Sequence, residues 1–189
     1  MRIVVTKTGP LIERRSYDPS NPPAETSQKL TLPEAGLCDS EFTCKFHTGT
    51  EMPRFGLGTV QATITSIRLI LHLTITIWTV TGAPPKLRAH EEGHRRITEE
   101  FYRNAKTVAY RLAAQALGRK LPVVFVDQTA KPGAVKAFQD KLLMEYLQET
   151  ARRCTVAQTR FDSIAAHGGN SITEDDTVRQ TLAELPAGE

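Results

Sequence analysis

Cysteine is scarce in this chain. Only Cys38, Cys44 and Cys154 occur among 189 residues, too few for a fold stapled by disulfides. None of them stands as Cys-x-x-Cys, which argues against a zinc site built from thiolates. Cys38 and Cys44 flank a short Asp-Ser-Glu-Phe-Thr segment and could close a small-loop disulfide suited to an oxidising compartment; free thiols are the alternative. Long apolar runs are also missing. The longest, Ile67 to Val80, is interrupted by Arg68, His72 and several threonines and falls short of the about 20 residues that a membrane-spanning helix needs. The amino terminus opens on a strand-like Arg-Ile-Val-Val-Thr run, with no signal-peptide pattern. Charge is mild at +3, with Lys and Arg scattered, so there is no nucleic-acid footprint. Phe55-Gly56-Leu57-Gly58 lacks the third glycine and the helix of a phosphate-binding loop.

What is present is the composition of a folded soluble chain, 40% hydrophobic and 24% charged, of a length that suits one domain over residues 1–189. Residues 1–83 read as a strand- and loop-rich half and residues 84–189 as a helical half. A short strand is expected over 1–9. Residues 16–58 carry Pro19, Pro22, Pro23, Pro33 and Pro53 and should be irregular, with short strands and turns. From Thr59 to Val80, Ile, Leu and Val alternate with Thr and Ser, the period of a strand. That run is long enough for two strands bent near Ser66 or for one long curved strand. Leu121 to Val126 predicts a further short extended segment.

Pro84 and Pro85 then suit the first turn of a helix, with Gly118 as the stop of a segment reaching Leu117. Ile97, Phe101, Ala105, Val108 and Leu112 predict its apolar face. A second helix is expected over about Ala134 to Val156, with Val135, Phe138, Leu142 and Tyr146 on its apolar face. Beyond Ser171 the chain reads as an acidic tail with frayed final residues.

The most specific pattern is His90-Glu91-Glu92-Gly93-His94. On a helix, residues four apart lie one above the other, so His90 and His94 can share one metal ion. Glu91 stands beside the first ligand, where it can act as general base toward an activated water. Stepping back from Ile97 reaches His94 and His90, so both histidines extend the apolar face and point inward. A catalytic zinc takes three protein ligands and keeps one position open. The extended pattern with a third histidine six residues on is absent, because Ile97 and Glu100 stand at its positions. His167, in a loop before two glycines, is the expected third ligand. Asp162 is the alternative and Glu174 comes next. Glu99 and Glu100 share no face with both histidines, and His72 and His47 have no ligand spacing. Three neutral histidines would leave the full charge of Zn²⁺ to lower the pKa of bound water. Tyr102, Tyr110 and Tyr146 are open as oxyanion-stabilising groups. The strand from Leu71 to Val80 is expected to be the edge that pairs with an extended substrate.

These features resemble a bacterial family of predicted secreted zinc-dependent proteases, a domain of unknown function. The resemblance rests on Cys44, the Thr-rich strand, the His-Glu-Glu-Gly-His helix and a downstream Cys154…Phe161-Asp162…His167-Gly168 element. The chain departs from the family pattern at Phe161, where Tyr is usual, and at Ala165, where Thr is usual. The resemblance implies an α+β, zincin-like fold, with a small twisted, mainly antiparallel sheet packed on the motif helix and a second helix. It favours His167 as third ligand, with Asp162 beside it or in its place, and a periplasmic or secreted setting, a cytoplasmic one being the alternative.

The expected function is thus a zinc metallopeptidase that hydrolyses peptide bonds of a peptide or protein substrate. Two rival readings stand beside it. One is a binding or structural module with a vestigial or structural zinc site, favoured by the departures at Phe161 and Ala165. The other is a zinc amidase acting on cell-wall peptides.

Overall fold

Proline and glycine punctuate the fold. The computed structural model of the chain describes residues 1–27, 35–52, 58–126, 129–130, 133–166 and 172–184. Its elements are β1 (Arg2–Lys7), β2 (Leu11–Tyr17), a single turn α1 (Ala24–Ser27), β3 (Gly36–Glu51), β4 (Gly58–Val80), α2 (Pro85–Ala116), β5 (Lys120–Val126), β6 (Thr129–Ala130), α3 (Gly133–Leu147), α4 (Arg153–Ala165) and α5 (Glu174–Ala183). A π-helical turn, Gln148–Arg152, links α3 to α4. Pro10 separates β1 from β2, Pro85 opens α2, and Gly118 follows α2 with φ of 82°, a conformation that glycine adopts without strain.

The chain forms two compact units. The first comprises Met1–Thr8, Thr43–His72 and Asn104–Thr150. In it β1 runs parallel to β4 from Arg2↔Ser66 to Lys7↔Leu71, and β5 runs antiparallel to β4 from Gly58↔Phe125 to Thr63↔Lys120. Its core combines Ile64, Ile67, Leu69 and Leu71 of β4 with Ala105, Ala109, Leu112, Ala113 and Ala116 of α2 and Phe138, Leu142 and Tyr146 of α3. Burial along β4 falls on Ala62 and Ile64, then on Ile67, Leu69 and Leu71. The strand's two-residue alternation therefore slips by one at Thr65–Ser66, where Gly49 leaves room for the Ser66 hydroxyl.

The second unit comprises Gly9–Phe42, Leu73–Arg103 and Ala151–Glu189. Here β2 runs parallel to β4 from Leu11↔Thr74 to Tyr17↔Val80. The Thr81 N–H donates to Tyr17 O at 2.8 Å and the Val80 N–H to Ala35 O at 3.0 Å. Successive N–H groups of a strand point to opposite sides, so β4 is flanked on both sides at this end. The helices α4 and α5 pack together. The core draws on Leu73, Ile75 and Ile77 of β4, Ile97 and Tyr102 of α2, and Ala157, Phe161 and Ala165 of α4.

Several expectations are corrected. The sheet is mixed rather than mainly antiparallel, since β1 and β2 both run parallel to β4. The stretch Leu73–Val80 is not an edge, for the reason just given. Residues 36–51, expected to be irregular, form one strand: the prolines of that region lie outside it, and Phe42 and Cys44 alternate inward. On α2 the buried line runs through Tyr102, Ala105, Ala109 and Leu112, with Phe101 and Val108 half-buried on its shoulder. The second helix does not end at Val156. It continues through the π turn into α4, because Cys154, Ala157, Phe161 and Ala165 form a buried stripe at helical spacing and no proline or glycine interrupts it. The acidic segment after Ile172 is helix α5, capped by Thr173, whose hydroxyl accepts the Asp176 N–H. All three thiols are free: six residues along a strand separate Cys38 from Cys44 by about 20 Å, and a disulfide needs Cα atoms within about 7 Å. No helix of the described residues is long and apolar enough to cross a membrane.

Candidate metal centre

One turn of α2 supplies two imidazoles and α4 supplies a carboxylate. His90 Nε2, His94 Nε2 and Asp162 Oδ1 converge, all within 4.8 Å of one another. Asp162 Oδ1 stands 3.2 Å from His90 Nε2 and 2.8 Å from His94 Nε2, and the two Nε2 atoms are 3.2 Å apart. Ligand atoms at about 2.1 Å from a tetrahedral ion are themselves about 3.4 Å apart, so this spacing is near that of a coordination shell.

Of the two remaining ring nitrogens, one is engaged from outside and one is not. The His94 Nδ1 hydrogen bonds to Gln158 Oε1. Gln158 is held in turn by its Nε2, which donates to His94 O at 2.9 Å and Thr98 Oγ1 at 2.8 Å. With the Gln158 carbonyl accepting, Nδ1 carries the proton and the Nε2 lone pair faces Asp162. Two lone pairs at 2.8 Å require a cation between them, a proton or a metal ion. Burial opposes charging of His94, but the hydrogen bond and charge of Asp162 outweigh it, with help from Gln158 and Glu91, and hold its pKa above the ordinary histidine value. Burial alone would raise Asp162; the hydrogen bonds from His90 and His94, and their charge, reverse this and hold it well below the usual carboxylate range. On the other side, His90 Nδ1 is buried without a hydrogen-bond partner, and Glu174 Oε2, equally without one, lies 3.7 Å away.

Phe161 forms the floor. Its ring stacks on His90 at 4.9 Å between centroids and meets His94 edge-on at 4.8 Å. That approach needs Gly93, because a Cβ there would collide with the Phe161 ring. Gly36 has the same relation to Glu91: any Cβ at 36 would strike the carboxylate. Glu91 is 4% exposed and lines a cavity of about 530 Å³ together with Ala35, Gly36, Leu37, Cys38, Leu87, His90, His94, Gln158 and Asp162. Glu92, by contrast, points to Arg14, which donates to it at 2.6 and 3.1 Å, and to Arg95. The two adjacent glutamates are thereby separated in role, Glu91 in the cavity and Glu92 in surface ion pairs.

The arrangement joins four residues singled out from sequence, His90, Glu91, His94 and Asp162, and puts Glu174 behind His90 rather than at the shared ligand point. His167 lies outside the described residues. His72 belongs to the first unit, where its Nδ1 bonds to Thr8 Oγ1 at 3.0 Å. His47 is also in that unit, and Glu99 and Glu100 pair with Arg95 and Arg103. Neither Tyr102, Tyr110 nor Tyr146 lines the cavity. Tyr17, not singled out from sequence, has its pKa raised by burial and then by the charge of Glu91. Gln158 was also missed, although it stands one helical turn before Asp162 and so on the same face. Burial, with the Glu91 charge added, pushes the cavity-lining Cys38 thiol far up, so it stays protonated and is a poor ligand as it stands.

The donor set, two imidazoles and one carboxylate held ionised, suits a borderline metal ion. No family model, no curated protein and no solved structure matches the chain.

Proposed function

We propose that the chain is a zinc-dependent hydrolase of peptide bonds, zincin-like in the sense that one helix carries both histidine ligands and the base. The reading is carried by one observation: the Nε2 atoms of His90 and His94 meet Asp162 Oδ1 at one point, and Glu91 shares their cavity. His90, His94 and Asp162 would hold the ion. A bound Zn²⁺ would supply Lewis acidity, lowering the pKa of water and polarising a carbonyl.

The rest falls to the protein. Glu91 is the proton carrier, taking a proton from the attacking water and returning it to the leaving amine. Gly36 lets the carboxylate stand against the strand backbone. Phe161 and Gln158 hold the two rings in one orientation. The apolar Leu37 and Leu87 line the same cavity and give an extended substrate an apolar wall, and β3 rather than β4 is the strand beside it.

Metal analysis of the purified protein, coupled to a peptidase assay, tests the reading. Glu91→Gln should bind zinc at wild-type stoichiometry and lose hydrolysis by about 10²–10⁴-fold. Undiminished turnover would remove Glu91 from the mechanism. Iron in place of zinc would redirect the reading, since two histidines and a carboxylate also hold iron(II). Asp162→Asn and His167→Ala, compared for zinc affinity, assign the third ligand: the larger loss should follow Asp162.

A further inference from the structure

We infer that Glu174 is a positioning residue for the metal centre, a buried carboxylate that fixes the His90 ring and its proton when a metal ion takes Nε2. The inference rests on the metal reading above and adds to it the last element of the fold.

The three acids that open α5 have different fates. Asp175 pairs with Arg96 and Asp176 pairs with Arg179 and meets the Thr173 cap. Glu174 alone turns inward, its side chain 11% exposed, with Oε2 buried and no hydrogen-bond partner. An ionised carboxylate is costly to bury without a donor. The ring nitrogen that faces it is His90 Nδ1, itself buried and unpartnered, at 3.7 Å.

The tautomer of His90 decides whether the two atoms attract. With the proton on Nε2, the ring donates to Asp162 Oδ1 at 3.2 Å and turns a lone pair toward Glu174. With the proton on Nδ1, the ring turns an N–H toward Glu174 Oε2, which a small shift from 3.7 Å brings into hydrogen-bond range, and its Nε2 lone pair is free to ligate. A metal ion on Nε2 forces the second state, so metal binding and the His90–Glu174 hydrogen bond strengthen each other. Gln158 performs the corresponding task for His94 with a neutral acceptor. The centre thus has one carboxyl and one amide support, and the carboxyl comes from α5.

The test measures zinc affinity by competition with a chromophoric chelator, on the full chain, for wild type, Glu174→Ala, Glu174→Gln and Asp175→Ala. Glu174→Ala should bind zinc about 10–100-fold more weakly. Glu174→Gln should recover part of the loss, because its amide oxygen still accepts the Nδ1–H. Asp175→Ala, on the same helix turn, should stay within about 2-fold of wild type, as an exposed ion pair contributes little. In ¹H–¹⁵N spectra of the imidazoles, the zinc-loaded wild type should show a slowly exchanging His90 Nδ1–H that Glu174→Ala loses. Wild-type affinity in folded Glu174→Ala would overturn the inference and leave the metal reading standing. If Glu174→Ala fails to fold, Glu174→Gln decides: wild-type affinity together with no protected Nδ1–H signal in either protein overturns it. A wild type that takes up no zinc overturns both.

Discussion

The two units bury different kinds of residue. Of the seven buried polar or charged residues described, Thr26, His90, Glu91, Thr98, Thr177 and Thr181 lie in the second unit and only Thr150 in the first. Thr150 satisfies itself by donating to Tyr146 O at 2.7 Å. The first unit is packed from β-branched residues, leucines and closely spaced alanines, and its side-chain chemistry is mostly spent on packing. The second accepts an imidazole pair, two inward carboxylates and orphaned polar atoms, each of which costs stability in a low-dielectric interior. Stability and chemistry are thus unequally distributed along one chain, the pattern expected where a preorganised polar site must be held by the rest of the fold.

That contrast can be broken from either side. The largest stability effect should come from the first unit: Leu69→Ala removes a fully buried side chain and should lower unfolding free energy by about 2–5 kcal/mol, read from urea melts. Zinc affinity of the folded protein should not change, and a parallel loss of affinity would show that the units are not energetically separable. Next comes Gly36→Ala, which must displace the Glu91 carboxylate. Hydrolysis should fall about 100-fold, about 2.7 kcal/mol in barrier, with zinc retained. Equal kcat in this variant would mean that Glu91 does not work from its observed position. Replacing the orphaned Thr181 hydroxyl, as Thr181→Val, should stabilise by about 1 kcal/mol; a destabilised variant would point to a partner for that hydroxyl.

The smallest effect is the pH response of chelator-treated protein. Asp162 is depressed, so its contribution exists above the ordinary carboxylate value and is lost as pH falls. His94 is raised, so its contribution exists below the ordinary histidine value and is lost as pH rises through the folded value. The pair therefore contributes fully between about pH 4 and 6.5. Urea midpoints should decline above that window, and His94→Gln should flatten this part of the curve. A wild-type profile that is already flat from pH 6 to 9 would deny the ion pair.

The motif and its helix were legible because their signals are local. Pro85, Gly118 and the His90–His94 spacing each act within a few residues. The strand over 58–80 was legible from alternation, and Asp162 was on the short list of ligands. The rest depends on partners far apart in sequence. Parallel pairing of β1 and β2 with β4 is set by tertiary contact and leaves no local mark. Prolines bordering 36–51 made a long strand resemble a loop. The buried stripe from Cys154 to Ala165 is readable at helical spacing, yet the expected helix stopped at Val156 and left Asp162 beyond its end. Thr173-Glu174-Asp175-Asp176 is a recognisable helix start, obscured by its reading as an acidic tail.

Gly93 occupies a position that the motif leaves unspecified, yet here it is dictated by the ring of Phe161 lying across it. The two positions are therefore sterically coupled, and a change at one calls for a change at the other. Among natural relatives, a small residue at the fourth motif position should co-vary with an aromatic one residue before the helical aspartate. Anyone transplanting the His-Glu-Glu-Gly-His turn onto another scaffold would have to carry that ring along, or redesign both positions together.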